Sequence, residues 1–239
     1  MNMPTNNNTS KRKCFTAAMK MADVIESDSK LLAVLTRMGM GFGFGEESVE
    51  EVCRRYGVST RAFLVICRVY ACGDAGVLAE SLQDEDVRDI VAYLRSSHVH
   101  YGDTVTRRLT ISLEKLMESC DLRCRQIISK FFGEYMDELK RHFAYEDKVV
   151  FPYVDSVLNH GDKAGYNILQ YEENHSNVDE KLADLKNILM KYLPRDCSAE
   201  AVAEVLGTIF LLVDDLRRHT VIEDDILVPL VNRIEKYEK

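Results

Sequence analysis

Two stretches of this chain repeat one another at an offset of 77 residues, and each carries a His-x-x-x-Glu pattern. The first runs Asp137-Glu138-Leu139-Lys140-Arg141-His142-Phe143-Ala144-Tyr145-Glu146-Asp147 and on to Pro152. The second runs Asp214-Asp215-Leu216-Arg217-Arg218-His219-Thr220-Val221-Ile222-Glu223-Asp224 and on to Pro229. The same offset carries His98 onto His175, so each copy has a histidine 44 residues ahead of its His-x-x-x-Glu. Four of the six histidines fall on this repeat. A solvated charged face has no reason to repeat its spelling in this way.

The repeat lies in helical sequence. From Asp84 onward apolar residues recur near the 3.6 period, first Val87, Ile90, Val91 and Leu94, then Val105, Leu109, Leu113 and Leu116. Long helices are predicted over about 86–117, 120–158, 164–192 and 198–237, with turns at 159–162 and 193–196. Pro152 and Pro229 are expected to end or kink their helices, since proline lacks the N–H a helix interior needs. The expected fold class is all-α: an up-down-up-down four-helix bundle over 84–239, internally duplicated about a pseudo-twofold axis.

Ahead of the bundle a small helical domain is predicted over 23–80, after a disordered tail at 1–22. Four glycines between Gly39 and Gly45 mark a loop. Ser48 and Glu51 form a capping box at the start of one helix, which Gly57 ends. Ser59 or Thr60 starts the next, running to about Cys72.

Composition narrows the class further. Among 239 residues, 46% are apolar, 29% are charged, four are proline and none is tryptophan, a balance suited to a helical protein. The net charge of −8 argues against a nucleic-acid footprint. Glu46–Cys72 could pass for a helix-turn-helix, but its four acids balance its four arginines, so a DNA-binding regulator is disfavoured. No apolar run approaches the ~18 residues of a membrane span, and nothing at the N-terminus reads as a signal peptide, so the expected location is the cytoplasm. Seven cysteines without a C-x-x-C pair do not read as a disulfide framework. Cys120 and Cys124, one helical turn apart, read either as a redox pair or simply as small apolar residues.

A lone His-x-x-x-Glu is more often an exposed i, i+4 pair than a metal site. Two copies in repeated sequence, each with its own upstream histidine, favour a metal. The predicted ligands are His98, His142, Glu146, His175, His219 and Glu223, a set suited to iron, manganese or zinc. Two buried carboxylates need cations to compensate them, and two divalent ions would do so, with two histidines each and Glu146 and Glu223 bridging. The spacing favours His98, with His100 as the fallback. Glu138 and Asp215, one turn before the histidines, are candidates for orienting the imidazoles or are exposed acids.

His142-Phe143-Ala144-Tyr145-Glu146-Asp147…Phe151-Pro152 and His219-Thr220-Val221-Ile222-Glu223-Asp224…Pro229 resemble the two HxxxE…FP motifs of hemerythrin-like domains. The Gly-rich unit at 31–72 is similar to the small N-terminal domain of the repair-of-iron-centres proteins. The resemblance implies two non-haem iron ions, oxo- or hydroxo-bridged and carboxylate-bridged, ligated by His98, His142, His175 and His219 and bridged by Glu146 and Glu223. It further implies repair of iron–sulfur clusters, or reaction of NO, O2 or peroxide at open iron positions under nitrosative or oxidative stress. The alternative is a non-enzymatic O2/NO-sensing or iron-binding module. The expected partners are small diatomic or peroxide ligands, damaged iron–sulfur proteins and a second copy of the chain in a homodimer, with neither membrane nor nucleic acid. The chain departs from the repair family at Phe42-Gly43-Phe44-Gly45, where adjacent cysteines are usual.

Overall fold

The computed structural model describes residues 15–161, 165–174, 178–194 and 197–237. Among these residues the secondary structure is helical, apart from one isolated bridge between Lys20 and Ser48. Four short helices come first: α1 (Met21–Ser27), α2 (Leu31–Arg37), α3 (Val49–Tyr56) and α4 (Thr60–Cys72). Both ends of α3 follow from local chemistry. Ser48 Oγ accepts from the Glu51 backbone N–H while the Glu51 carboxylate accepts from Ser48 N–H, and Gly57 closes the helix at φ 67°. The glycine loop takes positive φ at Gly39, Gly43 and Gly45. Residues 1–14 of the expected tail lie outside the described residues, while Phe15 and Met21 are buried.

The bundle helices are interrupted by π-helical turns. Helices α5 (Val87–Val99) and α6 (Thr106–Glu118) flank one at His100–Val105. Helices α7 (Leu122–Tyr145) and α8 (Phe151–Leu158) flank a second at Glu146–Val150. After α9 (Ile168–Asn174) and α10 (Val178–Lys191), α11 (Ala199–Ile222) and α12 (Val228–Tyr237) flank a third at Glu223–Leu227. The second and third π turns stand at the same offset as the sequence repeat, and each begins on the glutamate of a His-x-x-x-Glu. Pro152 and Pro229 therefore do not end their helices. Each is the second residue of the helix that resumes after the π turn, where the wider turn relieves the missing i→i−4 hydrogen bond. The third predicted helix is described as α9 and α10, with 175–177 between them outside the described residues.

Helix α7 packs on α10, α6 on α11, and α10 on α11. Two apolar cores result. One joins the first four helices to one end of the bundle, through Leu31, Phe63, Ile66, Leu94, Phe151 and Ile226. The other fills the rest of the bundle, through Leu109, Leu116, Ile128, Leu139, Leu182 and Leu212. Residues on both sides of the expected 80/84 boundary thus share a core.

Two carboxylates, Asp86 buried and Asp215 half-buried, fasten the first core. Asp86 accepts from Arg61 Nε at 2.7 Å, Ser59 Oγ at 2.5 Å and the Gln83 N–H at 2.7 Å. Asp215 of α11 pairs with Arg37 of α2. Burial works against both carboxylates, but Arg61 and Arg37 respectively outweigh it and hold each pKa below the usual range. Such groups add stability above the unfolded carboxylate pKa of ~3.9 and lose it as pH falls through the folded value. Thermal stability is expected to fall steeply below about pH 4, and Asp86→Asn should make that fall shallower. Equal acid sensitivity in wild type and Asp86→Asn would contradict this assignment.

Candidate metal centre

The candidate ligands lie where the two cores meet. On α5, His98 falls between Leu94 of the first core and Tyr101 of the second. His142 and Glu146 fall between Leu139 and Val150, and His219 and Glu223 between Leu216 and Ile226. The i, i+4 spacing puts each His–Glu pair on one helix face. Glu146 is 0%, Glu223 1%, His219 2% and His98 5% exposed.

Donor atoms of His98, Glu146, His219 and Glu223 all come within 4.8 Å of one another. His98 Nε2 is 3.0 Å from Glu146 Oε2 and 3.3 Å from His219 Nε2. His219 Nε2 is 3.0 Å from Glu223 Oε1, and His142 Nε2 is 3.2 Å from Glu146 Oε1. Ligand–metal bonds of ~2.1 Å place adjacent ligands about 3 Å apart on one ion, so these separations fit a first-row cation. The donor set fits as well, because imidazole and carboxylate together suit iron, manganese and zinc. His175 lies outside the described residues. His100 is not part of this cluster; its ring meets the edge of Tyr101.

Without a cation the two central imidazoles are polarised in opposite senses. Burial disfavours charge on His98, but hydrogen bonds that its ring donates to Asp147 and Glu146 outweigh it and raise its pKa to about 9. Burial, reinforced by the charge on His98, lowers His219 to about 3. Aromatic rings hold the imidazoles in place: His98 stacks on Phe143 at 4.1 Å between centroids, and Tyr101 meets His219 edge-on at 5.6 Å.

The acids that orient this site differ from those expected. Glu138 pairs with Arg141 at 2.5 Å, and Asp215 is taken by Arg37 and Tyr70. Asp147 does the orienting instead, its Oδ1 3.1 Å from His98 Nδ1. Supporting hydrogen bonds of this kind fix the tautomer and ring direction of a ligating histidine. The signal was present, since Asp147 and Asp224 follow the two glutamates at the same offset.

Tyr171 is a second supporting residue, and the repeat hides it. Its hydroxyl donates to Glu146 Oε1 at 2.6 Å. Burial and the charges of Glu223 and Glu146 push its pKa well above the ordinary phenol value, so it remains a donor. The offset of 77 carries Leu94 onto Tyr171, so only one copy brings a hydroxyl here. Tyr171→Phe is expected to weaken metal binding by ~10-fold or more, the usual cost of losing such a support. Unchanged affinity in a metal competition titration would remove Tyr171 from that role.

Among the described residues no helix is long and apolar enough to cross a membrane. No curated protein and no solved structure matches the chain. The hemerythrin HHE cation-binding domain matches residues 85–232, well over half of the chain and the whole of the region that carries both His-x-x-x-Glu motifs. With the buried His/Glu cluster in the same region, this chain belongs to the hemerythrin HHE cation-binding family.

Proposed function

We propose that the chain is a non-haem di-iron protein that handles small oxidants or diatomic molecules, of the kind that protects or restores iron centres under nitrosative and oxidative stress. The convergence of His98, Glu146, His219 and Glu223 carries this reading. His98 and His219 come from different copies of the repeat yet face each other at 3.3 Å. The repeat would assign His175, which lies outside the described residues, to the same ion as His142. One ion would then take His98 and His219, the other His142 and His175, with Glu146 and Glu223 shared. Bound iron would supply open positions for a small ligand and a change of oxidation state.

The protein's own groups do the rest. Glu146 and Glu223 bring two carboxylates into a buried site where Phe143 and Phe151 stack on His98. Asp147 fixes the ring of His98, and Tyr171 holds one oxygen of Glu146. The similarity of 31–72 to the repair family supports the stress-related role. The glycine loop carries no thiol, and of the nearby cysteines Cys53 and Cys67 are buried, which supports a reading with the small-molecule chemistry in the bundle.

Iron-loaded protein is expected to consume nitric oxide or peroxide through repeated additions. Reversible O2 uptake without turnover would instead identify a sensing module. Retention on duplex DNA at physiological salt would contradict both.

A further inference from the structure

At the far end of the bundle the repeat brings together a different chemistry. The offset of 77 that relates the two His-x-x-x-Glu motifs also carries Cys120 onto Cys197. Each cysteine directly precedes a helix N-cap: Asp121 caps α7 by accepting from Cys124 N–H at 2.7 Å, and Ser198 caps α11. The Cys120 and Cys197 sulfurs lie 3.2 Å apart. Cys124, in the first turn of α7, completes a group whose three sulfurs lie within 4.8 Å of one another. Along α7 and α11 the thiols stand 22 residues before Glu146 and His219, about 33 Å at the helical rise, so the two sites are separate.

We propose that Cys120, Cys124 and Cys197 form a second metal site, for a thiophilic d10 cation, zinc(II) or copper(I). Three convergent sulfurs favour this over a disulfide, which would use two and leave Cys124 without a role. Soft thiolates select these cations over the harder ions that the His/Glu centre suits. Binding exchanges protons for metal: three S–H protons pass to solvent, three S–metal bonds form, and no electron moves. With zinc(II) the product carries one net negative charge. The positive ends of α7 and α11 face that charge. Arg125 adds to it, held against the Cys120 carbonyl by an Nε hydrogen bond of 2.8 Å. Burial raises the pKa of Cys120 and Cys124, so the metal-free site holds thiols and uptake must release protons. An entry path exists, because Cys124 lines a cleft with Ile127, Phe131, Ile188 and Tyr192.

The test uses the full-length chain, reduced and iron-loaded, titrated with zinc(II) and separately with copper(I) against chromophoric chelators. One ion per chain should bind beyond the iron, and should slow alkylation of Cys120, Cys124 and Cys197 as read by peptide mass spectrometry. Cys120→Ser, Cys124→Ser and Cys197→Ser should each lower its affinity at least about tenfold and leave the iron content intact, which also reports that each variant has folded. His219→Ala should lower iron but not thiol protection. Cobalt(II) should give a sulfur-to-metal charge-transfer band that the triple serine variant lacks. Equal zinc and copper binding by wild type and the triple variant would overturn the proposal. So would conversion of Cys120 and Cys197 to a disulfide under mild oxidation at the same rate with and without metal.

Discussion

Arg37→Ala is expected to destabilise the chain by about 3–5 kcal/mol, the cost of leaving a buried charge without its partner. Arg37 ends α2 and enters the bundle, where its side chain is 3% exposed. It pairs with Asp215 and donates to the hydroxyls of Tyr70 at 2.6 Å, Tyr93 at 3.3 Å and Tyr101 at 3.3 Å. Its guanidinium also lies 4.9 Å from the centre of the Tyr101 ring. One side chain therefore ties the first helices to α5, α11 and the π turn after His98. Removing it strands Asp215 one helical turn from His219. The melting temperature should drop by roughly 10 °C for a chain of this size. Replacing both partners with leucine should recover much of the loss, because neither charge is then buried alone. A single substitution costing less than about 1 kcal/mol would mean that the pair behaves as a surface ion pair and does not fasten the two regions.

His219→Ala is expected to remove most of the bound iron. His219 is the candidate ligand with contacts to both copies, 3.0 Å from Glu223 and 3.3 Å from His98. Its loss takes away the neutral imidazole between two buried carboxylates and leaves His98 facing a void. The consequence reaches stability. A metal that binds only the folded chain adds about 4 kcal/mol when its free concentration is 1,000-fold above Kd. A chelator should therefore lower the melting temperature of the wild type by several degrees and leave His219→Ala nearly unchanged. A variant that keeps wild-type iron and still responds to the chelator would place the metal elsewhere.

The parts of the fold that sequence made legible are those where local chemistry decides. The capping box at Ser48, the stop at Gly57 and the helix start at 198 follow from single residues and their neighbours. The helical reading of 84–237 follows from a sustained 3.6 period. The effect of the prolines was not legible. A proline predicts a break, yet here each proline follows a π turn and sits second in the helix that resumes. The repeat pointed to His98, His142, Glu146, His175, His219 and Glu223 because duplication preserves spacing, and the structure brings His98, Glu146, His219 and Glu223 together. It was blind wherever the copies differ, which is why Tyr171 opposite Leu94 left no trace. Arg37 was invisible for another reason: its partner is 178 residues away, and no local pattern distinguishes it from an exposed arginine.

We propose that the duplicated His and Glu residues hold a pair of metal ions. Metal analysis of the protein as isolated, together with its optical spectrum, tests it most directly. About two irons per chain are expected, as the duplicated His/Glu set of a di-iron bundle requires, with an oxo-bridged absorption that is lost in His219→Ala. Well below two metals per chain in folded protein loaded anaerobically with iron(II), with no such absorption after exposure to air, would contradict it.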